Sequence, residues 1–206
     1  NYELIANASR IAGLVGNSKG TNTGTPTVIS GCTATRTKIN LPKGINNGCY
    51  IGAFIGQVNS NQQKLTNNTV DSPVITIGTD IKAASYIGGA IGDFAGSSAD
   101  YMGSLTGLTV TSPSVTVDKN SIANSYIGAV FGRVNTYSTI DDVDVSDPTL
   151  TYKNTGATNF ALNLGSFAGG IFGNAAQETA VTNIDVTGDA TVTIGSSNNV
   201  QNVKAG

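Results

Sequence analysis

Asp141, Asp142, Asp144 and Asp147 form the one acidic cluster in a chain of 206 residues that has no histidine. Carboxylate oxygens gathered in this way suit a hard cation such as calcium, which takes about six to eight oxygen ligands. Asp142 and Asp144 are expected on one strand face, with Asp147 at the turn before Pro148, so these three are the candidate metal ligands. Their spacing matches neither an EF-hand loop nor a glycine-rich calcium repeat, and solvated aspartates at a strand end are the plainer reading. Without histidine there is no Ser-His-Asp or Cys-His chemistry, and the commonest metal ligand is missing. Gly88-Gly-Ala-Ile-Gly92 is glycine-rich, yet neither a Lys-Ser/Thr pair nor a helical pattern follows it, as a phosphate loop requires. No catalytic residue and no cofactor are expected.

Cys32 and Cys49 are the only cysteines. A disulfide between them would contribute about 3 kcal/mol by loop closure in an oxidising compartment; the alternative is two small buried thiols. Cys32 is placed in the column of Val70, Val110 and Val145, facing inward, while Cys49 stands where later copies have Ser85 and Ser125. Asn7-Ala-Ser9 and Asn67-Asn-Thr69 are N-glycosylation acceptors, the second placed in a variable loop.

The elements that must position these residues are repeated. An apolar residue, a small pair, two apolar residues and a glycine recur as Ile11-Ala-Gly-Leu-Val-Gly16, Ile51-Gly-Ala-Phe-Ile-Gly56, Ile87-Gly-Gly-Ala-Ile-Gly92, Ile127-Gly-Ala-Val-Phe-Gly132 and Ala168-Gly-Gly-Ile-Phe-Gly173. The closing glycines, Gly16, Gly56, Gly92, Gly132 and Gly173, are 40, 36, 40 and 41 residues apart and mark the repeat core. A second phrase follows each: Val70-Asp-Ser-Pro-Val-Ile-Thr-Ile77, Val110-Thr-Ser-Pro-Ser-Val-Thr-Val117 and Val145-Ser-Asp-Pro-Thr-Leu-Thr-Tyr152, with Cys32 to Ile39 and Val186 to Ile194 as looser copies. Two phrases returning in fixed order signify a repeat architecture.

Both faces of the glycine phrase are apolar, so it reads as an inner strand covered on both sides, where glycine lets backbones approach closely. The second phrase alternates apolar with Ser/Thr and carries Pro73, Pro113 or Pro148 at a corner, so it reads as a bent, half-exposed outer strand. Between the two lie polar segments that differ among copies: Asn59 to Asn68, Ser97 to Ser104 and Asn174 to Thr182. Parallel stacking gives an all-β fold, a parallel β-solenoid or β-helix of about five ~40-residue repeats, right-handed by the crossover rule. Residues 1–206 form one elongated domain, with approximate repeats 1–48, 49–84, 85–124, 125–165 and 166–206. Lys38, Thr76, Thr116, Thr151 and Thr193 are read as one outer column, flanked by Thr149 and Thr191.

Ala12-Gly-Leu-Val-Gly16, Gly88-Gly-Ala-Ile-Gly92 and Gly169-Gly-Ile-Phe-Gly173 resemble the Gly-Gly-Leu-Val-Gly core of GLUG-motif repeats, found in large bacterial and protist surface proteins and adhesins. The resemblance covers five short segments. It implies an extracellular β-helical stalk or adhesive module and carries no catalytic residues.

Composition narrows the function classes. Charged residues are 12% of the chain and the net charge is −2, with no basic cluster for nucleic acid or an anionic membrane. No apolar run is long enough to span a membrane, and no signal peptide is present in these residues. The expectation is a non-enzymatic extracellular or cell-surface scaffold whose variable loops contact protein or glycan surfaces. A self-assembling filament or sheath subunit, a homo-polymer of copies of itself, is the alternative. A carbohydrate-active β-helix is disfavoured by few carboxylates and no tryptophan. An ice-binding solenoid would use the threonine array, which Lys38, Val74 and Ser114 interrupt.

Overall fold

Alternating β-branched and small residues, with almost no helix-forming runs, leave parallel strands as the only regular element to build with. The computed structural model describes residues 9–20, 25–42, 45, 47–60, 62–78, 80–118, 124–153, 162–172, 177–195 and 203–205. Within them the chain is a parallel β-solenoid whose turns each contribute to four sheets. Most sheets have five rungs, so about four full turns separate the first rung from the last, against an expected five repeats.

The first inner sheet stacks Arg10–Ala12, Tyr50–Gly52, Tyr86–Gly88, Ser125–Gly128, Leu162–Gly165 and Val203–Ala205. The second inner sheet stacks Val15–Ser18, Ile55–Ser60, Ile91–Gly96, Phe131–Val134 and Ala168–Ile171. A long outer sheet follows, with Gln63–Asp71, Gly103–Thr111, Ser138–Ser146 and Ala180–Thr187; in the first turn its place is taken by two pieces, Thr27–Ser30 and Thr33–Thr35. A short outer sheet of Lys38–Leu41, Val74–Ile77, Ser114–Val117, Thr149–Lys153 and Thr191–Gly195 completes the turn.

The glycine phrase is therefore two strands rather than one. The chain bends at Ala53–Phe54 and at the equivalent residues of other turns, so that the two inner sheets form an arch tucked inside the outer wrap. Each inner sheet is covered on both sides, as the apolar faces require. Ile51, Ile87, Ile127 and Leu164 of the first inner sheet pack on Ile75, Val115 and Leu150 of the short outer sheet. Ile55, Ile91, Phe94 and Phe131 of the second inner sheet pack on Leu65, Val70, Leu105, Val110 and Ile140 of the long outer sheet. Each fully buried aliphatic contributes about 1.5–3 kcal/mol. At the glycine columns the two inner sheets leave no room for a side chain between them: a Cβ on Gly56 would lie 3.0 Å from the Tyr50 carbonyl oxygen, and one on Gly92 would lie 2.6 Å from the Ile51 nitrogen. The tip of the arch points at the outer corner, where a Cβ on Gly89 would stand 3.0 Å from Pro113 Cβ.

Two columns of left-handed backbone bend the wrap. Gly31, Asn67, Gly107, Asp142 and Asn183 form the first, within the long outer strands, and Arg36, Ser72, Ser112, Asp147 and Gly188 form the second, just before the proline corner. Short polar residues and glycine tolerate this conformation best, which explains the first column. Its bend also breaks strict alternation: Leu65, Asn68 and Val70 are all buried, as are Ile140, Val143 and Val145. Asn68 repairs the interrupted first strand by accepting a hydrogen bond from Cys32 N at 3.0 Å and donating one to Ile29 O at 3.1 Å.

Register corrects the outermost copies. Ala34, not Cys32, pairs with Val70, and Asn40, not Lys38, pairs with Thr76. A slip of two residues keeps every side chain on its face, so alternation alone does not reveal it. In the last turn Phe131 pairs with Ala168 and Gly128 with Gly165, so the fifth glycine phrase is Leu164-Gly-Ser-Phe-Ala-Gly169. Gly173, expected as its closing glycine, lies outside the described residues. The segment Asn59 to Asn68 is mostly strand rather than loop, whereas Ser97 to Met102 is a connection closed by a Ser98–Tyr101 bridge. Of Asn174 to Thr182, the described part runs from Gln177 into the strand at Ala180.

Candidate functional site

The inner arch has a mouth, opposite its tip, and the mouth holds a polar and aromatic seam. Tyr50, Tyr86 and Tyr126 occupy one column of the first inner sheet, so the 4.8 Å rung spacing stacks their rings. Centroids are 5.1 and 5.7 Å apart with interplanar angles of 23° and 7°. Asn163 replaces tyrosine in the next rung, and Phe172 meets Tyr126 edge-on at 5.0 Å. With their faces covered by one another, these rings are not a platform for sugars.

Facing them, the residues just after each closing glycine of the second inner sheet form the column Asn17, Gln57, Asp93, Arg133 and Gly170. Asp93, 1% exposed, accepts from Arg133 Nε at 2.7 Å and Nη2 at 3.0 Å, a bidentate charge-assisted pair across one rung. Gln57 Nε2 donates to the same carboxylate at 3.2 Å, and Arg10 Nε donates to Gln57 Oε1. Arg133 also lies over the Tyr86 ring, 3.9 Å from its centroid, and donates to the Tyr86 hydroxyl at 3.1 Å. The chain Arg10–Gln57–Asp93–Arg133 thus ties four successive turns together. Burial acts to lower the Arg133 pKa, but the hydrogen bond and charge of Asp93 outweigh it and hold the guanidinium above its ordinary value. Burial pushes the Tyr86 phenol up, with Arg133 opposing.

None of these residues stands out by sequence neighbourhood. The signal that finds them is an aspartate and an arginine at the same repeat position, 40 residues apart, directly after an apolar phrase. The seam is a packed internal ion pair, and its arrangement serves cohesion between turns.

The residues singled out by the sequence lie elsewhere. Asp142 sits in the left-handed bend and Asp144 two residues on, both exposed on the outer wrap, while Asp147 is at the proline corner. Asp142 and Asp144 line a shallow groove with Asn67 and Thr69, and Asp144 shares a neighbouring one with Asp185. Asp147 Oδ1 instead accepts from Asp189 N at 3.1 Å, and Asp141 Oδ1 accepts from Thr182 and Asn183 at 2.8 Å each. As candidate ligands Asp142, Asp144 and Asp147 do not converge: among the described residues no three acidic or thiol groups come together to hold a metal ion.

The disulfide does not form. Cys32 packs against the core between the second inner and long outer sheets and Cys49 belongs to the other core, so the arch separates two free thiols. Burial pushes the Cys49 thiol up, with a backbone hydrogen bond from Ser9 opposing. Cys49 N donates to Ser85 Oγ and Ser85 N to Ser125 Oγ, both at 3.2 Å, so the expected Cys/Ser column is real. Asn67 is exposed but lies within a strand rather than in a loop, and Asn7 lies outside the described residues.

On the short outer sheet, Val74, Ser114, Thr149 and Thr191 form one outward column and Thr76, Thr116, Thr151 and Thr193 a second. All are half-buried or exposed. No helix among the described residues is long and apolar enough to cross a membrane. No family model matches the chain, and neither curated proteins nor solved structures contain one similar to it.

Proposed function

We propose that the chain is a non-enzymatic repeat module of an extracellular or cell-surface protein, a GLUG-like scaffold that makes its contacts through the connections between sheets. The observation that carries this reading is the contrast between invariant columns and changing connections. Core columns such as Leu65, Leu105, Ile140 and Val181 hold the same chemistry turn after turn. The passage from the second inner to the long outer sheet is two residues in the second turn, 61–62, and six in the third, Ser97 to Met102. Connections on a rigid scaffold are where binding residues concentrate. The carboxylates support the same reading. Asp144 and Asp185 are neighbours in one column, so they project alike and do not face each other across a bond, as an acid/base pair must.

The test is binding of the purified chain to arrays of immobilised proteins and glycans, repeated with Ser97–Met102 replaced by the shorter Asn135-Thr136-Tyr137 connection. Loss of a specific binding signal with an unchanged melting temperature is expected. Turnover of any arrayed polysaccharide, or binding indifferent to every connection swap, would overturn the reading.

A further inference from the structure

Register, rather than sequence neighbourhood, brings the phenols of Tyr50, Tyr86 and Tyr126 together at the mouth of the arch. All three are half-buried, so part of each side chain meets solvent. The other described tyrosines stand apart from this ladder. Tyr101 lies in the connection from Ser97 to Met102, Tyr137 immediately precedes a long outer strand, and Tyr152 is fully buried in the core of the short outer sheet.

The ladder is not uniform. Tyr50 and Tyr86 are the closer pair, with centroids 5.1 Å apart and planes tilted by 23°. Tyr86 and Tyr126 are 5.7 Å apart and nearly parallel, at 7°. Arg133, on the rung of Tyr126, lies over the Tyr86 ring at 3.9 Å from its centroid. Tyr126 is also held by Phe172, edge-on at 5.0 Å, and its hydroxyl accepts from Asn124 Nδ2 at 3.1 Å. On the other side Arg10, one rung before Tyr50, lies 5.3 Å from the Tyr50 centroid. The two guanidinium groups thus flank the Tyr50–Tyr86 pair from the outer rungs, and the two rings face each other directly.

We propose that Tyr50 and Tyr86 are a site of oxidative cross-linking, where a peroxide-class oxidant joins them by a carbon–carbon bond between the ring positions ortho to their hydroxyls. Each phenol gives one electron to the oxidant and one proton to water at the mouth, leaving a phenoxyl radical with spin on its ortho carbons. The two radicals combine across the stacked pair. Each joined carbon then releases its hydrogen as a proton while the ring oxygen takes one up, which restores both phenols. In sum two ring C–H bonds break, one C–C bond forms, and the O–O bond of one peroxide is reduced to two O–H groups. The tilt already turns one ring edge toward its neighbour, and the solvent side of the mouth gives the rings room to swing edge to edge. The product joins two consecutive turns. By closing the loop from residue 50 to residue 86 it also restricts the unfolded chain.

Photo-oxidation of the dilute full chain with persulfate and a ruthenium tris-bipyridyl sensitiser tests this. The expected products are blue dityrosine fluorescence and a monomer lighter by two hydrogen atoms, with a tryptic cross-link between the peptides of Tyr50 and Tyr86. Tyr50→Phe and Tyr86→Phe should each lose the intramolecular signal with circular dichroism unchanged, while Tyr101→Phe and Tyr126→Phe keep it. Should Tyr86→Phe loosen the seam through its contact with Arg133, Tyr50→Phe still decides the matter. A link mapped to Tyr101, Tyr126 or Tyr137 overturns the proposal, as does dityrosine formed only between molecules. So does a folded chain whose tyrosines gain oxygen, or stay unmodified, without coupling.

Discussion

The inner arch and the outer wrap are built from the same stacked strands, yet they tolerate change very differently. In the arch two sheets meet backbone to backbone, with glycine columns in place of a side-chain layer and one buried ion pair closing the mouth. In the wrap each strand buries one face in an aliphatic core and gives the other to solvent, as the buried and half-buried alternation of Ser114–Val117 shows. The arch therefore gains its cohesion from geometry that admits no spare atom, and the wrap from burial that leaves its outer face open to substitution. Cohesion belongs to the first region and contact with other molecules to the second.

The largest effect that would break this contrast concerns glycine. In Gly92→Ala the new methyl would stand 2.6 Å from the Ile51 nitrogen and closer still to the Gly56 carbonyl oxygen. Both are backbone atoms that cannot swing aside, so a loss of about 4 kcal/mol or outright misfolding is expected in urea unfolding. Gly78→Ala is the control at the end of an outer strand. Its nearest neighbour would be Pro42 Cα at 3.5 Å, an ordinary contact, and a change within about 0.5 kcal/mol is expected. Equal losses at both positions would sink the distinction.

Two ion pairs among the described residues repeat the comparison on a smaller scale. Arg133→Met leaves the Asp93 carboxylate buried without its partner, which costs about 3–5 kcal/mol, and adding Asp93→Leu should recover most of it. Lys153 and Asp118, 3.1 Å apart on the wrap, have side chains 59% and 33% exposed, so Lys153→Ala should move stability by less than about 1 kcal/mol. Thermal melts of these three variants measure this directly.

How far each region can be read from sequence follows the same division. The wrap is legible because alternation and proline corners are local signals: Val70 to Ile77 and Val110 to Val117 fold as their pattern requires. The covered, glycine-rich character of the arch is legible too, since both faces of Ile51 to Gly56 are apolar. Register at the first turn is not, because a two-residue slip from Ala34 to Cys32 preserves alternation. The fifth phrase misleads for a related reason: Ala168 to Gly173 imitates the apolar–glycine rhythm four residues downstream of the true pairing. The polar seam escapes because Asp93 and Arg133 meet across a full turn, and only the finished register makes them neighbours.

A further contrast lies in alkaline stability. Burial raises the pKa of Cys49 above the ordinary 9.0 of a thiol and that of Tyr86 above the ordinary 10.0 of a phenol. Both neutral forms are thus favoured in the folded chain, while the unfolded chain ionises earlier. Their contribution is fully present below pH 9 and is lost as pH rises through the raised folded values. The melting temperature should fall progressively above about pH 9, and Cys49→Ala should flatten the first part of that fall. In the native state iodoacetamide should alkylate half-buried Cys32 well before Cys49. Equal alkylation rates would mean that the arch opens far more readily than its packing implies.

The smallest expected effect lies on the short outer sheet. The hydroxyls of Thr76, Thr116 and Thr151 lie on the half-buried outer face, and among the described residues they make no hydrogen bond to the protein. Replacing Thr116 with valine keeps the β-branch that suits a pleated strand and removes only an oxygen that the fold does not use. A stability change within about 0.5 kcal/mol is expected for Thr116→Val, and the same for Thr151→Val. In the neighbouring long outer sheet Thr66 Oγ1 and Ser30 Oγ are hydrogen-bonded at 2.9 Å, so Thr66→Val should cost about 1 kcal/mol. If Thr116→Val destabilises the chain as much as Thr66→Val, the outer hydroxyls belong to the fold after all. If it does not, that column is held in register by the solenoid while remaining free to meet whatever the surface meets.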